Sequence, residues 1–427
     1  MTRGRVSALV TVAMLAGYAD GEPLRAQEPI TGHVTAGADV VGQPEGDHGA
    51  DVELRVRAFA ERVHDFGSHF RVRLGGYVDG LVADRGQPGV TTDATVRPQE
   101  LYLELHGERA DLRLGYSRVV WGRLDELQPT DVVNPLDLTR FFFEGRAEAR
   151  LPVALIRGRL FLPRSATLEL IAVPDFRSSR FDQLDEPTAP LNLYQDVALA
   201  IAPAPSVPPL VPDRREPGVR WNNVQGGARL QTTAGRLDLG VSAYRGFEPL
   251  GMLQLETGGP VETFPRFTMI GGDFETVRGA WGIRGEVAAF VDDSFQSPML
   301  ARPLEGQSID AGVGADRRAG NFRVSGNLLV RRRSIDDAAA APSFDRTDVN
   351  VIAAIDRSFA RETRRLQVFG VYDPTEGTSF LRAIATVSLA DQLSLEVSGG
   401  AFLGEGPDTL GRFSDRDFAY VRIRRAF

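Results

Sequence analysis

Along most of this chain apolar and polar residues alternate one by one, and the links between the alternating runs keep a short–long phase. Val52, Leu54, Val56, Ala58 and Ala60 interleave with Glu53, Arg55, Arg57, Phe59 and Glu61. Leu237, Leu239, Val241 and Ala243 interleave with Asp238, Gly240, Ser242 and Tyr244, and Leu393, Leu395 and Val397 with Ser394, Glu396 and Ser398. A period of two means strands with one apolar and one polar face. Short links recur at 64–69, 107–111, 162–166, 232–236, 275–280, 316–321, 358–364 and 389–393. Long ones alternate with them at 42–50, 83–97, 121–149, 174–217, 246–263, 292–307, 333–347, 373–379 and 404–413. A soluble sandwich has no reason to hold that phase. A transmembrane antiparallel β-barrel holds it, with tight turns at one end and longer loops at the other. The segments number about 18 strands (16 to 18).

Composition limits the chemistry. The 427 residues include no Cys, which removes disulfides, thiolate metal sites and cysteine nucleophiles. All 49 basic residues are Arg, so Schiff-base and P-loop lysine chemistry is absent too. A net charge of −8 argues against nucleic acid as a partner. Arg3 and Arg5, the apolar run from Val6 to Gly17 and the small residues after it read as a secretory signal peptide, residues 1–26, with Ala19 as the other cleavage point. The remaining residues, 27–427, contain no apolar run near ~18 residues. An exported chain of this kind enters a membrane only as a closed barrel, which places it in the cell outer membrane.

The final strand ends on Phe427, and counting back in twos gives Arg425, Ile423, Val421 and Ala419. This resembles the C-terminal signal through which the barrel-assembly machinery inserts such proteins. Outer-membrane lipid is the other expected partner, together with a periplasmic or inner-membrane transport partner.

Polar positions point into the lumen. Arg55, Arg57, Arg71, Arg73, Arg113, Arg157, Arg159, Arg422 and Arg424 therefore fall on neighbouring strands once the barrel closes. They form either a basic ladder that selects anions or half of a set of cross-strand pairs with Glu53, Glu61, Asp79 and Glu104.

The stretch 115–150 breaks the alternation, and such breaks are where function is sought. It is the third long loop, and residues 122–149 are expected to fold inward as a constriction. Trp121 would end its strand near the outer aromatic girdle. Asp125, Asp131, Asn134, Asp137 and Arg140 would supply polar contacts, with Pro129 and Pro135 restraining the backbone. Two carboxylates and an amide between Asp131 and Asp137 suit calcium in type, but their spacing fits no defined loop, and a packed turn is the simpler reading. Phe141, Phe142 and Phe143 either pack on the wall or offer an apolar patch to an amphiphilic substrate. His106 and Ser117 lie on neighbouring strands without a nucleophile motif. Neither catalysis nor a resident cofactor or metal is expected.

The segments Leu112-Arg113-Leu114-Gly115, Val119-Val120-Trp121-Gly122 and Asp131 to Leu138, followed by Arg150-Leu151-Pro152-Val153 and Pro174-Asp175, resemble a bacterial family of outer-membrane barrels of unknown function. That family is related in form to the alginate-export porins. The resemblance is specific over 112–176 and departs at Tyr116-Ser117, where a basic residue and Gln are expected. It implies a barrel fold, an outer-membrane location and transport of anionic or amphiphilic compounds. The alternative is a non-conducting barrel with a binding or structural role through its long loops.

Overall fold

A computed structural model describes residues 30–42, 50–84, 90–180, 212–297, 300–344, 346–406, 408 and 410–427. The expected signal peptide and most of the Pro-rich 202–212 segment lie outside them. The described strands are β1 (Thr31–Gly42), β2 (Ala50–Phe66), β3 (Phe70–Asp84), β4 (Val90–His106), β5 (Ala110–Ser117), β6 (Val153–Leu162), β7 (Ala166–Val173), β8 (Asp213–Arg215), β9 (Gln225–Ala234), β10 (Leu237–Phe247) and β11 (Met252–Glu256). They continue with β12 (Gly259–Thr263), β13 (Arg266–Arg278), β14 (Trp281–Phe295), β15 (Leu304–Ala319), β16 (Phe322–Ile335), β17 (Thr347–Phe359), β18 (Arg364–Asp373), β19 (Thr378–Ala390), β20 (Leu393–Leu403) and β21 (Phe418–Ala426).

Eighteen of these form one antiparallel sheet, each strand beside its sequence neighbour. The sheet closes where β21 pairs with β1, from His33 opposite Ala426 to Val41 opposite Phe418. The remaining three, β8, β11 and β12, make a small separate sheet within the long loops that follow β7 and β10. The barrel is the fold that the alternation and loop phase predict.

The alternation sets which way each side chain points. On β10, Val241 is 58% exposed on the outer face, whereas its neighbours Ser242 and Tyr244 are buried inside. The same pattern puts Leu54, Val78, Ile270, Ile309 and Leu381 on the outside. At the short-turn end, Gly279 and Gly320 each take φ near +61°, the left-handed conformation that two-residue hairpin links require. At the other end the links are longer, except for 374–377, which is only four residues.

Several boundaries differ from expectation, those of β4 and β5 among them. β4 starts at Val90, because residues 90–97 extend the ladder with β3. β5 stops at Ser117 rather than at Trp121, because from Arg118 the chain leaves the sheet and turns into the lumen. Residues 118–152 then cross the barrel interior, and the buried hydrophobic clusters form between this loop and the inner wall. The third long loop is thus folded inward.

A charge placed on the outer face at mid-strand should be costly. Val241→Arg is expected to destabilise the barrel by about 2–4 kcal/mol. Gln367→Arg, facing the lumen, should cost less than about 1 kcal/mol. Urea unfolding in lipid vesicles reads both.

Candidate functional site

The inward loop is held first by carboxylates of the wall. Asp273 on β13 and Glu286 on β14 sit directly opposite one another in register, and both are buried. Two facing carboxylates away from water need cations or donors. The loop and β9 bring them. Asp273 pairs with Arg123 of the loop and with Arg229 of β9, the latter at 2.7 Å. Glu286 accepts the backbone N–H groups of Arg123, Leu124 (2.6 Å) and Thr130 (3.1 Å), and the Thr130 hydroxyl at 2.8 Å. One side chain thereby satisfies three backbone donors of an irregular segment.

Trp121 is the apolar part of the same anchor. It is 1% exposed, and its indole N–H donates to Glu169 of β7 at 2.7 Å. Its carbonyl accepts from Arg229. A Cβ on Gly227 would come within 2.9 Å of the ring, so the bare glycine makes the room. The expected girdle position is therefore corrected: Trp121 lies inside the barrel, because its N–H finds an acceptor there.

The far side of the loop meets the opposite wall. Its short helices Phe141–Glu144 and Arg146–Ala149 approach β1, β2 and β19–β21. Phe143 is buried against Phe418 and Tyr420, and Phe142 lies 5.0–5.6 Å from Phe380, Phe402 and Phe413. Arg382 of β19 donates to the Phe143 carbonyl, and Arg57 of β2 reaches Glu144 at 3.2 Å.

The loop fills the side of the lumen bounded by β5–β14. Along the other side a cavity of about 1340 Å³ remains, lined by β13–β21, β1 and β2. It touches His33, Thr386 and Arg424 at the short-turn end, and Pro249, Asp408 and Arg412 at the long-loop end.

The predicted site residues divide between these two regions. Asp131, Asn134, Phe141, Phe142 and Phe143 line the cavity. Asp131 is spent on Arg146 and Arg150. Asn134 accepts Val119 N–H at 2.7 Å and donates to the Leu151 carbonyl at 2.7 Å. Asp125 turns away to Arg284 at 3.2 Å, and Asp137 to Arg97 at 2.7 Å. The Asp131–Asp137 segment is a packed turn cluster whose polar groups each have a separate partner. The Arg140 side chain lies outside the described residues.

The arginine ladder is not a bare positive stripe. Arg55 and Arg57 pair with Asp79, Arg71 with Asp65, Arg73 with Glu61 and Arg113 with Glu104. Arg157 pairs with Glu169, and Arg159 with Asp111. Arg422 sits 3.7 Å from Asp39. Of the nine, Arg55, Arg57, Arg422 and Arg424 line the cavity, and the others stand on walls away from it. Most rungs are thus cross-strand clamps, as a low-dielectric interior demands.

His106 and Ser117 are not paired. They occupy opposite ends of the β4–β5 hairpin, where Ser117 bonds to Glu100 at 3.0 Å and His106 lies 3.6 Å from Glu104. Glu104, His106 and Asp111 come within metal-ligand distance of each other, but Arg113 and Arg159 already occupy both carboxylates.

Sequence reading missed Glu286, Asp273, Glu169 and the apolar wall residues Phe369 and Phe380. One signal was available. Registering the β13–β14 hairpin sets Asp273 opposite Glu286, a like-charge pair that requires donors from elsewhere.

Residues 91–350 match a family described as "Protein of unknown function (DUF1302)". No curated protein matches. Among solved structures, Acinetobacter baumannii OccAB4 is similar at 9% identity, over 94% of this chain and 98% of that one, with a TM-score of 0.50. Pseudomonas aeruginosa OccK2 (OpdF), solved with glucuronate, gives 12%, 94%, 98% and 0.49. The trimer form of OmpT, an outer membrane protein of Vibrio cholerae, gives 10%, 94%, 100% and 0.44. At these identities the likeness is one of fold. None of these findings bears on the expected relation to alginate-export porins.

If Glu286 is the pin of the loop, removing it should free the segment while the barrel stays closed. Glu286→Ala is expected to raise local opening by about 2–4 kcal/mol, from the loss of several charge-assisted bonds. Hydrogen exchange of residues 123–130 should accelerate by about 30- to 1000-fold, and exchange in β18–β21 should not change.

Proposed function

The chain belongs to the DUF1302 family of proteins of unknown function, and from its lumen we propose that it is an outer-membrane channel for passive passage of small anionic or amphiphilic molecules. The observation that carries this reading is the cavity of about 1340 Å³, which touches residues at both ends of the barrel beside the inward loop. A loop folded into the channel narrows passage without having to close it. Under the same proposal, lipid surrounds the outward apolar face, the barrel-assembly machinery acts on the strand ending at Phe427, and a periplasmic or inner-membrane partner supplies or receives the substrate. The same proposal includes a relation in form to the alginate-export porins, which would accord with an anionic cargo.

The lining favours neither charge outright. Arginines and carboxylates alternate along it, and the paired ones cancel. The support for amphiphiles comes from the half-buried faces of Phe142, Phe369, Val371 and Ile384, which present apolar surface within a polar passage.

One group at the long-loop mouth should tune selectivity with pH. Glu248 accepts Leu250 N–H at 3.3 Å and lines the cavity. Burial pushes its carboxyl up to about 7, and the nearby Asp293 charge adds to this, against the Leu250 N–H and Arg331. Below that pH the group is neutral, and above it a negative charge faces the passage.

Two expectations follow for planar bilayers. The purified protein should conduct, and deleting residues 129–143 should raise its conductance. Silence from both forms would overturn the channel and leave a non-conducting barrel. Preference for anions should fall as pH rises through about 7, and Glu248→Gln should flatten that titration. An unchanged midpoint in the variant would remove Glu248 from the account.

A further inference from the structure

We infer that one wall of the passage is a track for carboxylates with an apolar body. Arg412 captures the carboxylate at the long-loop mouth, Phe142, Phe369, Val371 and Ile384 carry the apolar body, and Arg424 takes the carboxylate at the short-turn end. This deepens the channel reading by naming the class of substrate. It rests on that reading for transit, but not for binding.

The two arginines stand apart from the rest of the lining. Arg55, Arg57, Arg331, Arg333, Arg346 and Arg422 each face a carboxylate. Arg382 is spent on Tyr420, on Ser398 at 3.1 Å and on the Phe143 carbonyl. Arg412 and Arg424 have no carboxylate partner among the described residues. Arg424 only shares a contact with His33 Nδ1 at 3.1 Å.

Asp408, four residues before Arg412 and also on the cavity lining, is already engaged. Asp408 accepts the N–H groups of Leu410 and Gly411, both at 3.1 Å, and the Thr378 hydroxyl at 2.8 Å. Meanwhile Phe413, the next residue, is buried in the aromatic cluster. The backbone at Arg412 is therefore fixed while its guanidinium stays exposed at the mouth.

Between the two charges two strands carry apolar side chains on the wall, interrupted by Gln367 and by Arg382, whose guanidinium is already spent. Register sets Val371 beside Phe380, Phe369 beside Arg382 and Gln367 beside Ile384. Phe142 of the loop meets Phe380 edge-on, with ring centroids 5.2 Å apart. From Phe418 to Arg424 along β21 is roughly 20 Å at about 3.3 Å per residue.

This arrangement discriminates by chemistry. An inorganic anion gains from the guanidinium but nothing from the phenyl faces. A neutral hydrocarbon gains the reverse. A molecule with one carboxylate and an apolar body gains both, and it can leave one arginine for the other without leaving the apolar surface.

The test uses octanoate as probe, with acetate and octanamide as the charge-only and body-only controls, on the barrel in lipid nanodiscs and against empty nanodiscs. Octanoate should bind more tightly than either control. Arg412→Gln should weaken it by about fivefold, as for an exposed ion pair, and Phe369→Ser by about tenfold. Octanoate binding no tighter than acetate, or equal binding by both variants and the parent, would overturn the track. Chloride conductance in bilayers separates the two readings. Binding without conductance sinks the channel and leaves the track, while conductance without octanoate binding sinks the track and leaves the channel.

Discussion

On the proposed reading the strands cross a bilayer, where a peptide group has no water to bond with, and the closed sheet answers that constraint. Strands can cross lipid only if each one has two neighbours, so the sheet must return on itself. It does so between Thr35 and Arg424, Gly37 and Arg422, and Asp39 and Tyr420, where the last strand meets the first. Closure then sorts the side chains. The apolar set of each strand is exposed on the outer face, and the polar set goes to the lumen. Charges that would be scattered over the surface of a soluble protein are concentrated there, and nearly all of them must find partners.

The inward loop is one answer to that concentration. Asp273 and Glu286 face each other on adjacent strands and need cations or donors to neutralise them, of which the wall supplies Arg229 of β9 to Asp273. Arg123 and the backbone amides of 123–130 supply others from inside. The loop in turn gains donors and acceptors that an irregular backbone in the lumen would otherwise lack. The result is asymmetric, because the loop's polar half lies against β7–β14 and its phenylalanines reach β19–β21. What stays open is the side lined by β13–β21, β1 and β2.

Much of this was legible beforehand. Alternation at Val52–Glu61 or Leu237–Tyr244 needs only a period of two to be read, and the phase of the links identifies the barrel and the third long loop. Side-chain partners across the lumen were not legible. Trp121 follows a strand and looks like a girdle residue, and only the folded loop reveals Glu169 as its acceptor. The arginines allowed two readings, a ladder or cross-strand pairs with Glu53, Glu61, Asp79 and Glu104, because the sequence shows the strand of each one but not which carboxylate faces it. Asp79 serves both Arg55 and Arg57, which registers of single strands cannot show. Phe369 and Phe380 were invisible for a further reason: in a barrel an apolar residue is assigned to the lipid face by default, and these two point inward.

The central claim is that passage runs along the cavity lined by β13–β21, β1 and β2 and not through the half packed by the loop. The chain has no cysteine, so single cysteines can be introduced without background. Thr386→Cys and Gln367→Cys face the cavity, while Ser242→Cys lies buried under the loop. A charged thiol reagent added during single-channel recording should reduce the current at positions 386 and 367 and leave it unchanged at 242. Current that survives modification at both cavity positions would contradict the account.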